Sequence, residues 1–463
     1  MPNEYEHNIR KSKYLREISK LKQYKMPLKR SRSGYEIEFN IIDQNGDVNN
    51  DSKKIITECK KINKEFPIEK EVGKNMVEIT SLPFRKIQKT ALYFLENIEV
   101  VENICLDNDL FLLPLGTYPG QFKEKSWKKK RYVYPANVIG PDKYYYYYSH
   151  CFGFHYHYGL PWGVFDRKAK FLKKTIKSKV KKTLLDSYNF LIAADPVLTI
   201  FTQSSPFEGG KYYAKDTRML FLRGGKKLKY DGLYNKLQLL GGLPPYKQTL
   251  SDLIQTLNKK DKRMKILFEK TGAPQDFIKK KDKLDFVWNP VKVNQLGTLE
   301  QRGLDTNYPG ICLGVSVMVK FILRAIQQEF YHVIPSDIGI EEPFKLEGNA
   351  IFIPSHSHTR NKMQYLSAYE GLKNKEMLNA CSRFYKLARK LVYKEYIKPI
   401  KIIKNIIDKE KTVSDMMINY VKRKGYDLNQ KLPKELCRSI ALLHSKKMVK
   451  HIERTKKIYE GLE

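Results

Sequence analysis

The sequence predicts an α+β fold in which helices cover one face of an open antiparallel sheet. Residues 34–41 and 153–161 alternate apolar with polar side chains, and this period of two indicates strands with one apolar and one polar face. Helical patterns and long loops separate the predicted strands. The strands of a parallel, doubly wound sheet would be apolar on both faces, so the alternation favours an antiparallel sheet with one solvated face.

The first part of the chain predicts two helices and three strands. Residues 5–27 and 84–108 place apolar side chains at helical spacing, the first of them in a basic segment. Residues 34–43 and 74–81 alternate, and Pro83 follows the second of these strands as a stop signal. Residues 111–120 predict a short apolar strand that runs into a loop with two glycines and two prolines.

The second part predicts one more polar strand pair and then mainly helices. Five consecutive tyrosines, Tyr144–Tyr148, precede the alternating strand at 153–161. A lysine-rich pattern with an apolar stripe predicts a helix at 168–191, and residues 284–308 predict a strand pair. From about residue 312 the pattern is mostly helical to the end of the sequence.

Charge is the most unusual feature of the composition. The chain carries 86 basic and 50 acidic residues, a formal net charge of +36. Such an excess invites a nucleic-acid interpretation. The basic runs are short and dispersed, however, and no single arm or helix holds them. This pattern favours general surface charge over a dedicated nucleic-acid site.

Cysteine spacing and hydropathy argue against several further classes of protein. The six cysteines form no CxxC pair, which argues against a zinc ribbon and against a dense disulfide framework. No run of 18 or more apolar residues occurs, and the first 32 residues lack an apolar signal core. We therefore expect neither a membrane span nor a signal peptide, and a cytoplasmic location.

Four predicted strands share one design, in which polar side chains at a period of two stand against an apolar backing. Two carboxylates one strand step apart, at roughly 6–7 Å between Cα atoms, repel each other unless a cation or proton lies between them. Carboxylate oxygens suit Mg²⁺, and an imidazole can complete such a site. If the strands adjoin, their polar faces form one surface, which carries Glu36, Glu38, Glu78, His155, His157, Glu300 and Arg302.

This surface suits the binding of a nucleotide together with divalent metal ions. No Walker A and no GxGxxG sequence occurs, so phosphates would be held through metal ions and basic side chains. Each strand alone also has an ordinary explanation, such as a solvated face or a cross-strand salt bridge. The joint occurrence favours nucleotide-driven ligation. A metal-dependent hydrolase that uses the same carboxylates and histidines stays open, and nucleotide dependence would separate the two.

Six segments in a fixed order resemble the glutamate–cysteine ligase type 2 family, the carboxylate–amine ligases related in fold to glutamine synthetase. The resemblance covers residues 34 to about 308. The matching segments are GYEIEF, NMVEIT, LPLGTYP, GFHYHYG, SSPFEGG with the later DTR, and TLEQRGLDTN.

The resemblance implies a curved antiparallel sheet whose concave face is the active site. It also implies Mg- and ATP-dependent ligation through a γ-glutamyl phosphate. Arg302 and Arg218 match arginines expected to face phosphate or a substrate carboxylate, and His157 is assigned with them to cofactor binding. The metal-binding positions of the family fall on Glu36, Glu38, Glu78, His155 and Glu300.

The implied domains are a basic N-terminal helical segment at 1–30, a catalytic domain at 31–340 and a mainly helical, lysine-rich C-terminal region at 341–463. Expected substrates are glutamate, or a similar carboxylate, and an amine, with cysteine the first choice. A polyamine or another amino acid stays open as the amine. Residues 194–196 and the SSPFEGG loop depart from the usual family wording. We expect no membrane partner and no specific nucleic acid, and a homo-oligomer stays open.

Overall fold

The computed structural model of the protein describes residues 31–285 and 287–462. Its centre is a seven-stranded sheet in the order β10-β11-β5-β1-β3-β2, with β4 paired to the other end of β1. Every strand pair in this sheet is antiparallel. The strands are β1 (Ser33–Asp43), β2 (Ile68–Lys70), β3 (Met76–Thr80), β4 (Leu110–Leu113), β5 (Gly153–Gly159), β6 (Phe165–Asp166), β7 (Phe171–Leu172), β8 (Phe207–Glu208), β9 (Lys211–Tyr212), β10 (Val291–Asn294), β11 (Thr298–Asp305), β12 (His332–Pro335), β13 (Leu346–Glu347) and β14 (Ala350–Ile353).

Helices cover the apolar face of the sheet and make up most of the chain after β11. Short 3-10 turns lie at Asn235–Leu237, Gly371–Lys373 and Lys394–Tyr396, and a π turn lies at Thr359–Met363. The α-helices are α1 (Ser52–Ile62), α2 (Ile87–Leu106), α3 (Lys130–Ile139), α4 (Pro141–His150), α5 (Ser178–Thr202), α6 (Thr217–Leu222), α7 (Gln238–Gly241), α8 (Leu250–Lys270), α9 (Gln275–Lys279), α10 (Pro309–Gln328), α11 (Asp337–Glu341), α12 (His356–His358), α13 (Gln364–Tyr369), α14 (Lys375–Leu391), α15 (Ile397–Lys409), α16 (Val413–Arg423) and α17 (Lys434–Glu460).

The alternation in β1 separates the core from the cleft. Tyr35, Ile37 and Phe39 are at most 1% exposed and lie on the helix-covered side. The ring of Tyr35 lies 5.2 Å from that of Phe94 in α2. The intervening Glu36 and Glu38 therefore point to the other face, as the period of two requires. The predicted α+β class, with its mostly antiparallel sheet and helical C-terminal part, is confirmed.

The C-terminal helices share the hydrophobic core of the sheet. One continuous cluster of buried side chains includes Ile37 of β1, Phe384 of α14 and Ile440 of α17. A second, three-stranded sheet, in the order β12-β14-β13, lies in this part of the chain. The division at residue 340 stays a prediction, and the predicted helix at 5–27 lies outside the described residues.

One local prediction differs from the structure. The lysine-rich helix expected at 168–191 is α5, which begins at Ser178 and ends at Thr202. Its expected first turns are occupied by β7, which pairs with β6. Pro196 lies inside α5 and does not end it.

Helices α5 and α10 are long and apolar enough to cross a membrane by length and composition alone. Their most apolar windows are 100% and 94% buried within the protein, and core helices pass the same test. Both helices belong to the continuous core cluster, through residues such as Leu191 and Val317.

Candidate active site

A cleft of about 530 Å³ opens on the polar face of the central sheet. Strands β1, β3, β5, β10 and β11 form its floor, and α3, α4 and residues 234–240 and 287–288 form its walls. Six of the residues predicted from the sequence line this cleft. They are Glu36, Glu38, Glu78, His155, Glu300 and Arg302.

Strand register explains why these side chains meet. Glu38 lies opposite Glu78, and Glu36 lies opposite His155 across two different strand pairs. On the far side of β5, His157 lies opposite Glu300. Directly paired side chains on one face of an antiparallel sheet are close neighbours, so three strand pairs bring the carboxylates and imidazoles together.

His155 is at the centre of the cluster. Its Nδ1 lies 3.1 Å from Glu36 Oε2 and 4.0 Å from Glu300 Oε1, and its Nε2 lies 3.8 Å from Glu38 Oε1. Burial lowers the pKa of His155 to about 4. The ring is therefore neutral near pH 7, the form in which imidazole can bind a metal ion.

His157 lies below the surface of the cleft. Its Nε2 lies 3.2 Å from Glu36 Oε1, and its Nδ1 is 2.9 Å from Thr298 Oγ1. Burial disfavours the charged ring, but the carboxylate of Glu36 outweighs this effect and raises the pKa of His157. The predicted cofactor-binding role of His157 stays a prediction, since it is not among the cleft-lining side chains.

The carboxylates differ in charge state because their neighbours differ. Burial raises the pKa of Glu38 to about 7, and the nearby carboxylate of Glu71 adds to that effect. Burial and the same neighbour raise the pKa of Glu78 well above its usual range. Burial also disfavours ionised Glu300, but Lys292 and Arg302 lower its pKa to about 2. Neighbouring carboxylates in this cleft therefore keep protons bound unless cations take the place of those protons.

Two groups of side chains have the composition and spacing of a divalent-metal site. In each group one ligand atom per residue lies within 4.8 Å of the others. The buried Nε2 atom of His155 makes no hydrogen bond within the described part of the chain. Carboxylate oxygens with one imidazole fit Mg²⁺ or Mn²⁺. The groups are Glu36, Glu78 and His155, and Glu36, His157 and Glu300.

Sequence reasoning missed Glu71, a further carboxylate in the cleft. Arg131 Nη2 lies 3.4 Å from Glu71 Oε1, at the start of α3. Glu71 follows β2 and lies outside the alternating pattern, so periodicity gave no signal for it. Its only sequence signal is its position in an acidic and basic stretch shortly before Glu78.

Lys292 and Asn294 were also missed, although β10 does show the relevant signal. In the sequence Val-Lys-Val-Asn, Val291 and Val293 are at most 1% exposed, and the two polar residues between and after them face the cleft. Lys292 lies opposite Glu300, and Asn294 donates a hydrogen bond of 2.5 Å to Glu300 Oε2. The period of two at 291–294 would have found both residues.

The two predicted arginines occupy different depths. Arg302 lines the cleft, with its Nε 3.6 Å from Glu300 Oε1 and its guanidinium over the ring of Trp288. Arg218 is 2% exposed and lies behind the cleft, where its Nη2 donates to the backbone carbonyl of Arg302. Its charge lowers the pKa of Glu38, partly offsetting burial. Direct contact of Arg218 with a substrate stays a prediction.

The remaining family-like segments pack together beneath the floor. Asp305 Oδ2 accepts hydrogen bonds from the Ser204 backbone N–H at 3.0 Å and from Ser205 Oγ at 2.7 Å. A Cβ placed on Gly116 would lie 2.6 Å from the Asp305 carboxyl carbon. Asp216 caps α6, which carries Arg218, by accepting from the Met219 N–H. These contacts fix the loops that support the sheet.

The tyrosine run is helical and mostly buried. It forms the body of α4, in which Tyr144, Tyr145 and Tyr147 are each less than 10% exposed. Tyr144 and Tyr148 line the cleft, and the Tyr148 hydroxyl lies 2.9 Å from that of Tyr234. The run is therefore a wall of the cleft, and its buried rings do not form an exposed platform for stacking bases.

The antiparallel sheet with a carboxylate-lined face is that of a carboxylate–amine ligase. The model of Glutamate-cysteine ligase family 2 matches residues 32–347, and the chain belongs to this family. A search of curated proteins finds no match to the chain.

Two solved structures are similar in fold at 12% identity. A glutamate–cysteine ligase from Francisella tularensis, in complex with AMP, matches with a TM-score of 0.54 over 94% of each chain. A bifunctional glutathione synthetase from Pasteurella multocida matches with a TM-score of 0.51 over 93% of this chain. The present chain spans 56% of the length of that bifunctional protein.

Proposed function

We propose that the protein is an ATP- and Mg-dependent ligase that joins the γ-carboxylate of glutamate to an amine. The observation that carries the proposal is the convergence of Glu36, Glu38, Glu78 and Glu300 with His155 in one cleft. This convergence lies within the part of the chain that matches the family. The AMP bound in one structure of the same fold supports a nucleotide as the co-substrate.

Magnesium ions are the cofactor that the cleft suits best. Glu36, Glu78 and His155 would hold one ion, and Glu36, His157 and Glu300 a second. Glu38 and Glu71 stand beside these groups and add carboxylate oxygens. When bound, such ions neutralise the phosphates of the nucleotide and the crowded carboxylates.

The proposed reaction has two steps. The glutamate γ-carboxylate attacks the γ-phosphorus of ATP, ADP leaves, and an acyl phosphate forms. The neutral amine then attacks the acyl carbon, inorganic phosphate leaves, and the new amide nitrogen loses a proton. Activation is required because a free carboxylate has no adequate leaving group.

The chain's own residues position the reactants and offset their charge. Arg302 lines the cleft and offers a planar donor fork to the transferred phosphoryl group. Arg218 supports that position from behind through the Arg302 carbonyl. Arg218 would contact the substrate carboxylate once the cleft is occupied. The aromatic wall, which includes Tyr148 and Trp288, limits access of water to the acyl phosphate.

The deciding experiment measures phosphate release with ATP, Mg²⁺, glutamate and a panel of amines. Cysteine is the first candidate amine, and other amino acids and polyamines complete the panel. Each component is omitted in turn, and the amide product is identified by mass. Release that needs all four components supports the ligase. Robust turnover with a polyamine but not with cysteine would move the assignment to a different amine. Hydrolysis of an amide or ester without ATP would favour the hydrolase and contradict the proposal.

A further inference from the structure

Lys292 is a buried lysine in the cleft whose ammonium group has no hydrogen-bond partner among the described residues. Its side chain is 7% exposed and lines the cleft from β10. The nearest carboxylate oxygen, Glu300 Oε2, lies 3.7 Å from Nζ, beyond hydrogen-bond distance. That oxygen already accepts a hydrogen bond of 2.5 Å from Asn294. Within residues 31–285 and 287–462, no acceptor lies at hydrogen-bond distance from the Lys292 ammonium.

The ammonium of Lys292 lines the cleft, so its three N–H donors are available to water or to a bound anion. The sheet fixes the side chain there, since Val291 and Val293 on either side anchor β10 in the core. The strand register places Lys292 directly opposite Glu300, on the same face as Arg302. The Lys292 ammonium thus stands beside the arginine that faces the cleft.

Two other cations of the cleft have partners within the protein. Arg131 Nη2 donates to Glu71 Oε1 at 3.4 Å, and Lys281 Nζ lies over the ring of Phe277. The guanidinium of Arg302 lies over Trp288. Lys292 and Arg302 are therefore the two cleft cations, among the described residues, that form ion pairs with Glu300 but whose side chains donate no hydrogen bond.

We propose that Lys292 binds an anionic oxygen of a substrate, either a phosphate of the nucleotide or the glutamate carboxylate. The inference rests on the proposed function and adds a contact residue to it. A lysine offers a compact charge with three donors, which suits phosphate or carboxylate oxygens equally. It would act beside Arg302, and together they would bind the anionic oxygens that backbone N–H groups of a glycine-rich loop bind in other nucleotide sites.

The test compares Lys292→Met with Lys292→Arg and with a matched control, Lys283→Met. Lys283 is exposed, lies outside the cleft lining, and carries the same charge nine residues earlier in the chain. Binding of ADP is titrated directly with Mg²⁺ present, and KM is measured separately for ATP and for glutamate. Melting temperature is recorded for every variant.

We expect Lys292→Met to weaken ADP binding, or to raise KM for glutamate, by about tenfold or more. Lys292→Arg should recover part of the loss, and Lys283→Met should change either value less than about twofold. A change in ADP binding identifies the phosphate as the partner, and a change confined to KM for glutamate identifies the carboxylate.

Unchanged affinities in a folded Lys292→Met variant would overturn the inference. So would a lowered melting temperature that both Lys292 variants share, with no change specific to a ligand, because that result describes a structural residue. The direct ADP titration does not need turnover. A protein that binds ADP through Lys292 but forms no amide would therefore refute the proposed function and leave this inference standing.

Discussion

At the scale of single residues, the main feature of the cleft is that several carboxylates lie close together. Glu38 is held 2.6 Å from the backbone N–H of Gly153, yet burial and Glu71 raise its pKa to about 7. One hydrogen bond and the nearby arginines therefore do not offset the cost of burying this charge. A bound cation would offset it, and this is the physical reason to expect the site to depend on Mg²⁺.

Glu38→Gln tests that dependence, because the amide keeps the shape of the side chain and removes its charge. We expect Mg-dependent ATP turnover to fall by about 100-fold or more, since a carboxylate oxygen is lost from the metal site. Stability should be equal to that of the wild type or higher at pH 8, where the wild-type carboxylate is charged. Turnover and thermal unfolding are measured on both proteins.

The matched control is Glu69→Gln, which removes an exposed carboxylate from the neighbouring edge strand β2. This variant should keep wild-type turnover. If Glu38→Gln turns over ATP as fast as the wild type at saturating Mg²⁺, Glu38 has no place in the metal site.

At the scale of elements, β5 approaches α6 too closely for any side chain at Gly153. A Cβ there would lie 2.1 Å from Arg218 Nη2 and 3.2 Å from His155 Nε2. Gly153→Ala should displace the arginine and disturb the hydrogen bond to Glu38. We expect turnover to fall at least tenfold and stability to fall by about 1–3 kcal/mol.

The control for this prediction is Gly34→Ala in the adjoining strand β1, where the nearest atom to a new Cβ is 3.8 Å away. It should be close to neutral in both activity and unfolding. Equal effects of the two alanine variants would show that β5 is not specially constrained at Gly153.

A second prediction at this scale concerns Glu102, which ties α2 to β4. Its Oε2 accepts a hydrogen bond of 3.2 Å from the Leu112 N–H, and burial raises its pKa to about 8. In the unfolded chain the pKa is near 4.5, so the folded protein binds more protons between these values. This contribution to stability is present below about pH 4.5 and is lost as the pH rises to about 8, with a slope of about 1.4 kcal/mol per pH unit.

Glu102→Gln removes this titration. Denaturant unfolding of both proteins between pH 5 and 8 should show the variant gaining stability relative to the wild type as the pH rises. A stability difference that stays constant over this range would mean that Glu102 is not protonated in the folded protein.

The elements themselves show where sequence patterns suffice. The alternation in β1 and β5 predicted which side chains share each face, because a period of two leaves no other arrangement in a sheet with one buried side. The convergence of Glu36 with His155 also required the two strands to adjoin, and only the structure gives that pairing. Glu71 could not be found this way, since it lies beyond the end of β2 and reaches the cleft through the path of a loop. The start of α5 at Ser178 was also not predicted. Residues 171–172 have helical spacing in the sequence, but in the structure they pair as β7 with β6.

At the scale of the whole molecule, the charge of +36 determines how the protein binds polyanions. Basic residues are spread over α5, α14, α15 and α17, and the tyrosine run is largely buried. We therefore expect binding to RNA or DNA to be independent of sequence and to weaken steeply between low and high salt, since each neutralised phosphate releases counterions.

The measurement is a binding titration at two salt concentrations, with and without Mg-ATP, on two unrelated sequences. No single charge reversal should abolish binding. Tight, sequence-selective binding that persists at high salt would contradict this prediction and would indicate a dedicated nucleic-acid interface.

At this scale, the sequence predicts the arrangement of the helices and strands only in outline. The sequence indicated a helical C-terminal part from apolar spacing, but not its place on the sheet, because helix packing depends on contacts between distant segments. The salt bridge of Lys215 with Asp415, at 2.7 Å, is an example, since it joins the loop before α6 to α16.

Helix α17 has a consequence for how the protein is made. It lies against α2, which packs on the strand that carries Glu36 and Glu38, and against β4, which pairs with that strand. Gln88 of α2 donates to the carbonyls of Tyr459 and Leu462. During translation the whole cleft leaves the ribosome before the segment that covers its supporting layer. A polypeptide released early by a premature stop before Lys434 would carry every proposed ligand and still expose the apolar surfaces of α2 and β4. Cellular quality control would then act on a nascent chain whose active-site residues are all present.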